Sequence, residues 1–203
     1  RTGKLRSRKG ALRSMTAELY DDLFWPTGQW RADNSIASYE QGQRGGGRIE
    51  KYKDQLKKFM FNPGQEIANV PFIGDKLALF DPTMTPYYDY TIGTSFRNGH
   101  TCWQFSAVAK DSLNGKRADD DATVIKTMHT WFDQSSMQVI AREYRILNAS
   151  MILDFDISIL VDNTVVAGEL VPTFIRYDGD WDIPFKKREL VRFWLAMKDW
   201  KVE

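Results

Sequence analysis

From Leu153 to Ile159 the chain alternates strictly, and this constrains the fold more than any other part of it. In the stretch MILDFDISIL, Met151, Leu153, Phe155, Ile157 and Ile159 fall on one side, and Asp154, Asp156 and Ser158 on the other. Successive side chains of an extended strand point to opposite faces, whereas a helix would scatter this set around its axis. One face is therefore made for burial and the other for water or basic partners, as in an antiparallel sheet with one wet side.

The neighbouring segments repeat the pattern. Tyr88, Tyr90, Ile92 and Phe96 mark one side of a strand, and Trp103, Phe105, Ala107 and Ala109 one side of its return. Between them stands Arg97-Asn98-Gly99, and Asn-Gly is the strongest short hairpin signal. A polar loop at 110–121 follows, then strands over 123–132 and 137–147 joined by Asp133-Gln134-Ser135-Ser136. Asn148-Ala149-Ser150 turns into 151–160, and further strands are expected near 169–177 and 188–196. Asp178-Gly179-Asp180-Trp181 reads as a turn in which Gly179 supplies the backbone and Trp181 covers a sheet edge. Sequential hairpins of this kind make one curved antiparallel sheet or an open barrel.

The N-terminal part has a different period. Residues 14–24 place Met15, Leu19 and Leu23 on one helical face, with Ser14 as N-cap and Trp25-Pro26 as stop. Residues 48–60, RIEKYKDQLKKFM, put Ile49, Tyr52, Leu56, Phe59 and Met60 on one face of a second helix, ended by Asn62-Pro63-Gly64. The expected fold is mainly β, in the α+β class. It is an open antiparallel half-barrel or curved meander, with one or two helices on its concave face, in a single domain over 1–203.

Charge narrows the function classes. There are 28 Lys and Arg against 27 Asp and Glu, a balance that excludes a general polyanion binder and with it nucleic acid as the main partner. The basic run at 1–13 reads as a solvated basic strand or arm. No apolar stretch approaches the roughly 20 residues of a membrane helix. The sequence begins at Arg1 without a signal peptide, which is expected to have stood before it.

Catalytic motifs are not evident. The single cysteine, Cys102, reads as a small buried hydrophobe between His100 and Trp103. His100 and His129 lack metal-ligand spacing to each other or to Cys102. Asp119-Asp120-Asp121 lacks the alternating ligands of a calcium loop. Gly45-Gly46-Gly47 lacks the Lys-Ser/Thr of a phosphate loop. Asp154 and Asp156 sit on one strand face rather than opposed across a bond, as a glycosidase pair would be. The expectation is a protein without enzymatic activity, metal or cofactor.

The C-terminal half resembles a known family. TWFDQSSMQVIAREYRI over 130–146 gives strand, Asp-led turn and strand, with Asp133, Ser136 and Gln138 approximating one family motif. Gly168, Val171, Pro172 and Thr173 match a second. Over roughly residues 123–195 this is similar to the LolA-like bacterial lipoprotein carriers. The resemblance implies a periplasmic or outer-membrane-associated setting and an acyl chain of a lipid or lipoprotein between sheet and helices. The residues expected to line that cavity are Trp103, Phe105, Phe155 and Ile157 of the sheet, with Leu56 and Phe59 of the covering helix. The alternative is an interaction module of an envelope assembly with no small ligand, using Asp154, Asp156 and the basic edge 186–188.

Overall fold

A computed structural model of the chain describes residues 64, 66, 73–113, 116–117, 122–149, 154–182 and 188–200. Among the described residues nine strands run in order: β1 (Tyr88–Arg97), β2 (His100–Ala109), β3 (Ser112–Leu113), β4 (Lys116–Arg117), β5 (Ile125–Asp133), β6 (Val139–Asn148), β7 (Asp154–Val166), β8 (Glu169–Asp182) and β9 (Glu189–Ala196). Seven of them form one antiparallel sheet in the order β1-β2-β5-β6-β7-β8-β9, and β3 pairs only with β4. The sheet is an open meander whose edges, β1 and β9, do not meet.

The register explains the core. A row of cross-strand partners passes from Tyr90 through Ala107, Met128, Tyr144, Ile159 and Tyr177 to Phe193, crossing all seven strands on one face. Phe155, Ile157 and Ile175 are buried on the same face. The alternation read from the sequence therefore propagates sideways, because directly opposed residues of antiparallel strands share a face.

Residues 73–87 lie over this face. They bury Ile73, Leu77, Leu79 and Met84 and contain two three-residue 3-10 turns, Asp75–Leu77 and Thr85–Tyr87. Side chains of this kind contribute about 1.5–3 kcal/mol each when removed from water. The Tyr90 hydroxyl donates to the Leu79 carbonyl at 2.7 Å and ties the cover to β1. No α-helix occurs among the described residues, so the helices expected on the concave face are not seen there. The segments 14–24 and 48–60, and with them Leu56 and Phe59, lie outside the described residues.

The expected turn at 178–181 is instead the interior of β8. Asp and Gly are turn formers locally, but here the alternation continues through them. Asp178 and Asp180 face solvent-side neighbours, while Tyr177 and Trp181 face the core side. Gly179 leaves room for a ring: a Cβ there would come within 2.5 Å of the Tyr177 side chain. Tyr177 lies parallel to Phe193 at 5.0 Å, and the Trp181 indole donates to its hydroxyl at 2.9 Å.

Candidate functional site: an uncovered aromatic strip

The core face does not end where its cover ends. Ile92 and Phe96 on β1 are 72% and 73% exposed, and Trp103 on β2 is 42% exposed. All three lie on the core face, because Ile92 is opposite Phe105 and Thr94 is opposite Trp103. Phe80 and Tyr90 join them to the covered part. Phe105 packs against Phe80 at 5.8 Å and Tyr90 at 6.0 Å between ring centroids, within the 4.5–7 Å usual for aromatic pairs. The result is a strip that begins in the core and runs out over the β1–β2 hairpin.

The expected cavity residues divide into two groups. Trp103 and Phe105 belong to the strip. Phe155 and Ile157 are 2% and 3% exposed and belong to the closed core. Three strand spacings separate β2 from β7, about 14 Å. The register places Phe105 in line with Thr130, Arg142 and Val161, and Ile157 lies four residues from Val161 along β7, about 13 Å. One face carries both groups, and the register sets them well apart on it. Ile92, Phe96 and Phe80 were not singled out as ligand residues, although the alternation around Asn98-Gly99 marks the first two.

Arg142 lies on the same face in the row between Phe105 and Val161. Its Nε donates to Thr130 Oγ1 at 3.4 Å, and burial lowers its guanidinium pKa. The Tyr144 hydroxyl is buried nearby with its pKa raised by desolvation.

The opposite face carries a small buried cluster, Cys102, Trp131, Ile140 and Ala141, with polar and charged side chains around it. His100 Nδ1 is 2.7 Å from Asp133 Oδ2, the orienting half of a catalytic relay in outline. Asp133 is occupied with structure, however. Its Oδ1 accepts the backbone N–H groups of Ser135 at 2.9 Å and Ser136 at 2.8 Å, along with both serine hydroxyls. Cys102 is fully buried, its thiol directed at the His100 carbonyl at 3.5 Å, and burial raises its pKa away from the reactive thiolate. His129 Nδ1 is 2.8 Å from the Ser106 hydroxyl. No group of three or more His, Cys, Asp or Glu able to hold a metal occurs among the described residues.

Further along this face the strands carry ion pairs. Arg145 grips Asp156 with two bonds of 2.9 and 2.7 Å, Arg192 bonds Asp178 at 2.7 Å, Arg176 bonds Glu143 at 3.1 Å, and Arg188 pairs with Asp180. Arg145, Asp156, Ser158, Asp178, Asp180 and Arg192 line a shallow open groove of about 330 Å³. Asp156 is thus committed to Arg145 and does not form an acid–base pair with Asp154. No helix among the described residues is long and apolar enough to cross a membrane.

No family model matches the chain, and neither does any curated protein or solved structure.

Proposed function

We propose that this chain is a non-enzymatic binding protein that takes an acyl chain of a lipid or lipoprotein against the strip formed by Phe80, Tyr90, Ile92, Phe96 and Trp103. The observation that carries this reading is the exposure of large apolar side chains in a contiguous group continuous with the core. Scattered exposed hydrophobes are ordinary, whereas a grouped patch marks a place where something binds. Each methylene removed from water contributes about 0.8 kcal/mol, so a tail half-buried on the strip gains several kcal/mol before ordering costs. The setting implied by the LolA-like resemblance, the periplasm or outer membrane, supplies such ligands.

The test is uptake of dodecanoic acid and a palmitoylated peptide, followed by native mass spectrometry, with wild type and an Ile92→Ser/Trp103→Ser variant. Wild type is expected to bind. The variant is expected to bind at least tenfold more weakly while remaining folded, because Ile92 is 72% and Trp103 42% exposed. Absence of uptake by wild type, or equal uptake by the variant, overturns the reading.

A protein partner of mixed charge is the second reading, favoured by the Arg–Asp groove on the polar face. Salt would release such a partner and leave acyl uptake intact.

A further inference from the structure

Among the described residues, the outer side of β1 between Asp89 and Arg97 shows no charge, proline or bulge of the kind that keeps sheet edges apart. Edge strands are normally blunted by charge, proline or a bulge. Between Asp89 and Arg97 the sequence Tyr90-Thr-Ile-Gly-Thr-Ser-Phe96 has no charged residue and no proline. Its pairing with β2 runs from Tyr88 opposite Ala109 to Arg97 opposite His100 without a register shift, whereas the β5–β6 pairing contains two and the β7–β8 pairing one. Thr91, Ile92, Gly93 and Thr94 are all exposed. This is a long, regular and uncharged template for another strand.

The two charges that bound it are placed symmetrically, each four residues from Gly93. We propose that β1 pairs antiparallel with β1 of a second copy of this chain, about a two-fold axis through Gly93, to continue the sheet across two molecules. In that register Asp89 of each copy stands opposite Arg97 of the other. Tyr90 stands opposite Phe96, Thr91 opposite Ser95, Ile92 opposite Thr94, and Gly93 opposite Gly93. Opposed residues share a face, so the aromatic strips of the two copies join and the polar faces join. A shift of two residues either way keeps the faces aligned but removes Asp89 from Arg97. The charges therefore select this register among those that align the faces.

Of the two charged groups Asp89 is the more accessible. Asp89 is 72% exposed at its side chain, with the Lys110 ammonium 3.7 Å away. Arg97 is 24% exposed at its side chain, gives one Nη2–H bond to Asp162 at 2.9 Å and lies 4.6 Å from the centre of the Trp131 ring, so it meets Asp89 of the second copy through N–H donors that these contacts leave over. Gly93 has no atom within 4 Å of the place where a Cβ would stand. The self-complementarity lies in the backbone edge and does not depend on an acyl ligand.

The experiment uses the full chain. Sedimentation velocity over increasing protein concentration is expected to show a monomer–dimer equilibrium, weakened at least tenfold by Asp89→Arg, which places like charges opposite each other. Cysteine pairing reads the register. Directly opposed residues of antiparallel strands have Cα atoms about 4.5–5.5 Å apart, within disulfide range. Gly93→Cys is therefore expected to give a covalent dimer on mild oxidation. Thr91→Cys is expected to give little, because its counterpart lies four residues away, about 13 Å. The native Cys102 is buried and does not compete. A monomer at every concentration, or equal cross-linking of the two variants, overturns the proposal. A dimer that takes up no acyl chain, or a monomer that does, separates this inference from the ligand reading.

Discussion

Asp133 joins two turns through one carboxylate. Oδ1 holds the Ser135 and Ser136 end of the β5–β6 connection, and Oδ2 holds His100 at the start of β2. The connection contains Met137 at φ 58°, a left-handed conformation that an ordinary L-residue adopts only when its surroundings fix it. The Met137 N–H donates to the Asp133 carbonyl at 2.8 Å, so side chain and backbone of one residue fix that turn together. These bonds hold the Asp133 carboxyl well below the usual carboxylate range, the Ser135 hydroxyl contributing most, then the Ser136 N–H and then His100. A carboxylate with a folded pKa below its unfolded value, about 3.9, stabilises the fold above the unfolded value. That stability is lost as pH falls through the folded value. Wild type is therefore expected to lose stability progressively below about pH 4. Asp133→Asn is expected to melt lower at pH 7 and to show a shallower loss in acid. Urea unfolding midpoints across pH 2–7, an interval set around that unfolded pKa, check this, and parallel acid limbs for the two proteins would count against it.

At the scale of elements, two hairpins share one turn geometry and differ in how well their residues suit it. Asn98 and Gly99 have φ of 50° and 86°, and Ala167 and Gly168 have 51° and 88°. Positive φ at both central positions is a type I′ turn, the form whose twist matches paired strands. Asn tolerates left-handed backbone because its side chain bonds locally, whereas Ala bears a cost of roughly 1–2 kcal/mol. Ala167→Asn is therefore expected to stabilise the chain by about 0.5–1 kcal/mol, part of that cost. The expected readout is a higher urea midpoint at unchanged slope. A midpoint that falls or stays put would show that the strands, not the turn, set the geometry. The same comparison shows what was legible. β1, β2 and their turn could be read because alternation and Asn-Gly agree. The interior of β8 could not, since Asp178-Gly179-Asp180 is turn-like in local chemistry and only the ring of Tyr177 over Gly179 explains a glycine there. The cover at 73–87 gave no signal, because two short 3-10 turns, with Pro82 between them and Pro86 in the second, have no repeating period. Alternation put Trp103 and Phe105 on one side of their strand and Phe155 and Ile157 on one side of theirs, and the family resemblance grouped the four. Alternation has no way to distinguish a covered part of a face from an uncovered one, which is why two of the four lie on the strip and two in the core.

For the whole molecule, the open sheet has two faces under different constraints. The apolar face is covered over its middle and bare over the β1–β2 hairpin, so the proposed ligand and the proposed edge pairing fall at the same side of the sheet. The polar face is arranged by charge toward β9. There Asp154 is opposite Asp182, and Asp156 is opposite Asp180. Like charges directly opposite one another on a sheet repel. The arginines compensate unevenly. Asp156 has Arg145, and Asp180 has Arg188, whose bond draws the Asp180 carboxyl below its usual range. Arg188 also lies in the field of Asp154 and Asp182, a secondary influence on it after Asp180. Among the described residues, the Asp154–Asp182 pair therefore carries the least compensated repulsion on this face. Asp182→Asn is expected to stabilise the chain by about 0.2–1 kcal/mol at low salt. Screening decides whether the gain is electrostatic. The Debye length falls from about 30 Å at 0.01 M salt to about 3 Å at 1 M, so the difference between wild type and variant should shrink across that range. A gain that persists at 1 M salt would assign the effect to strand propensity. A loss of stability at low salt would mean that Asp182 holds Arg188 in place for Asp180, and that the polar face balances as a network rather than pair by pair.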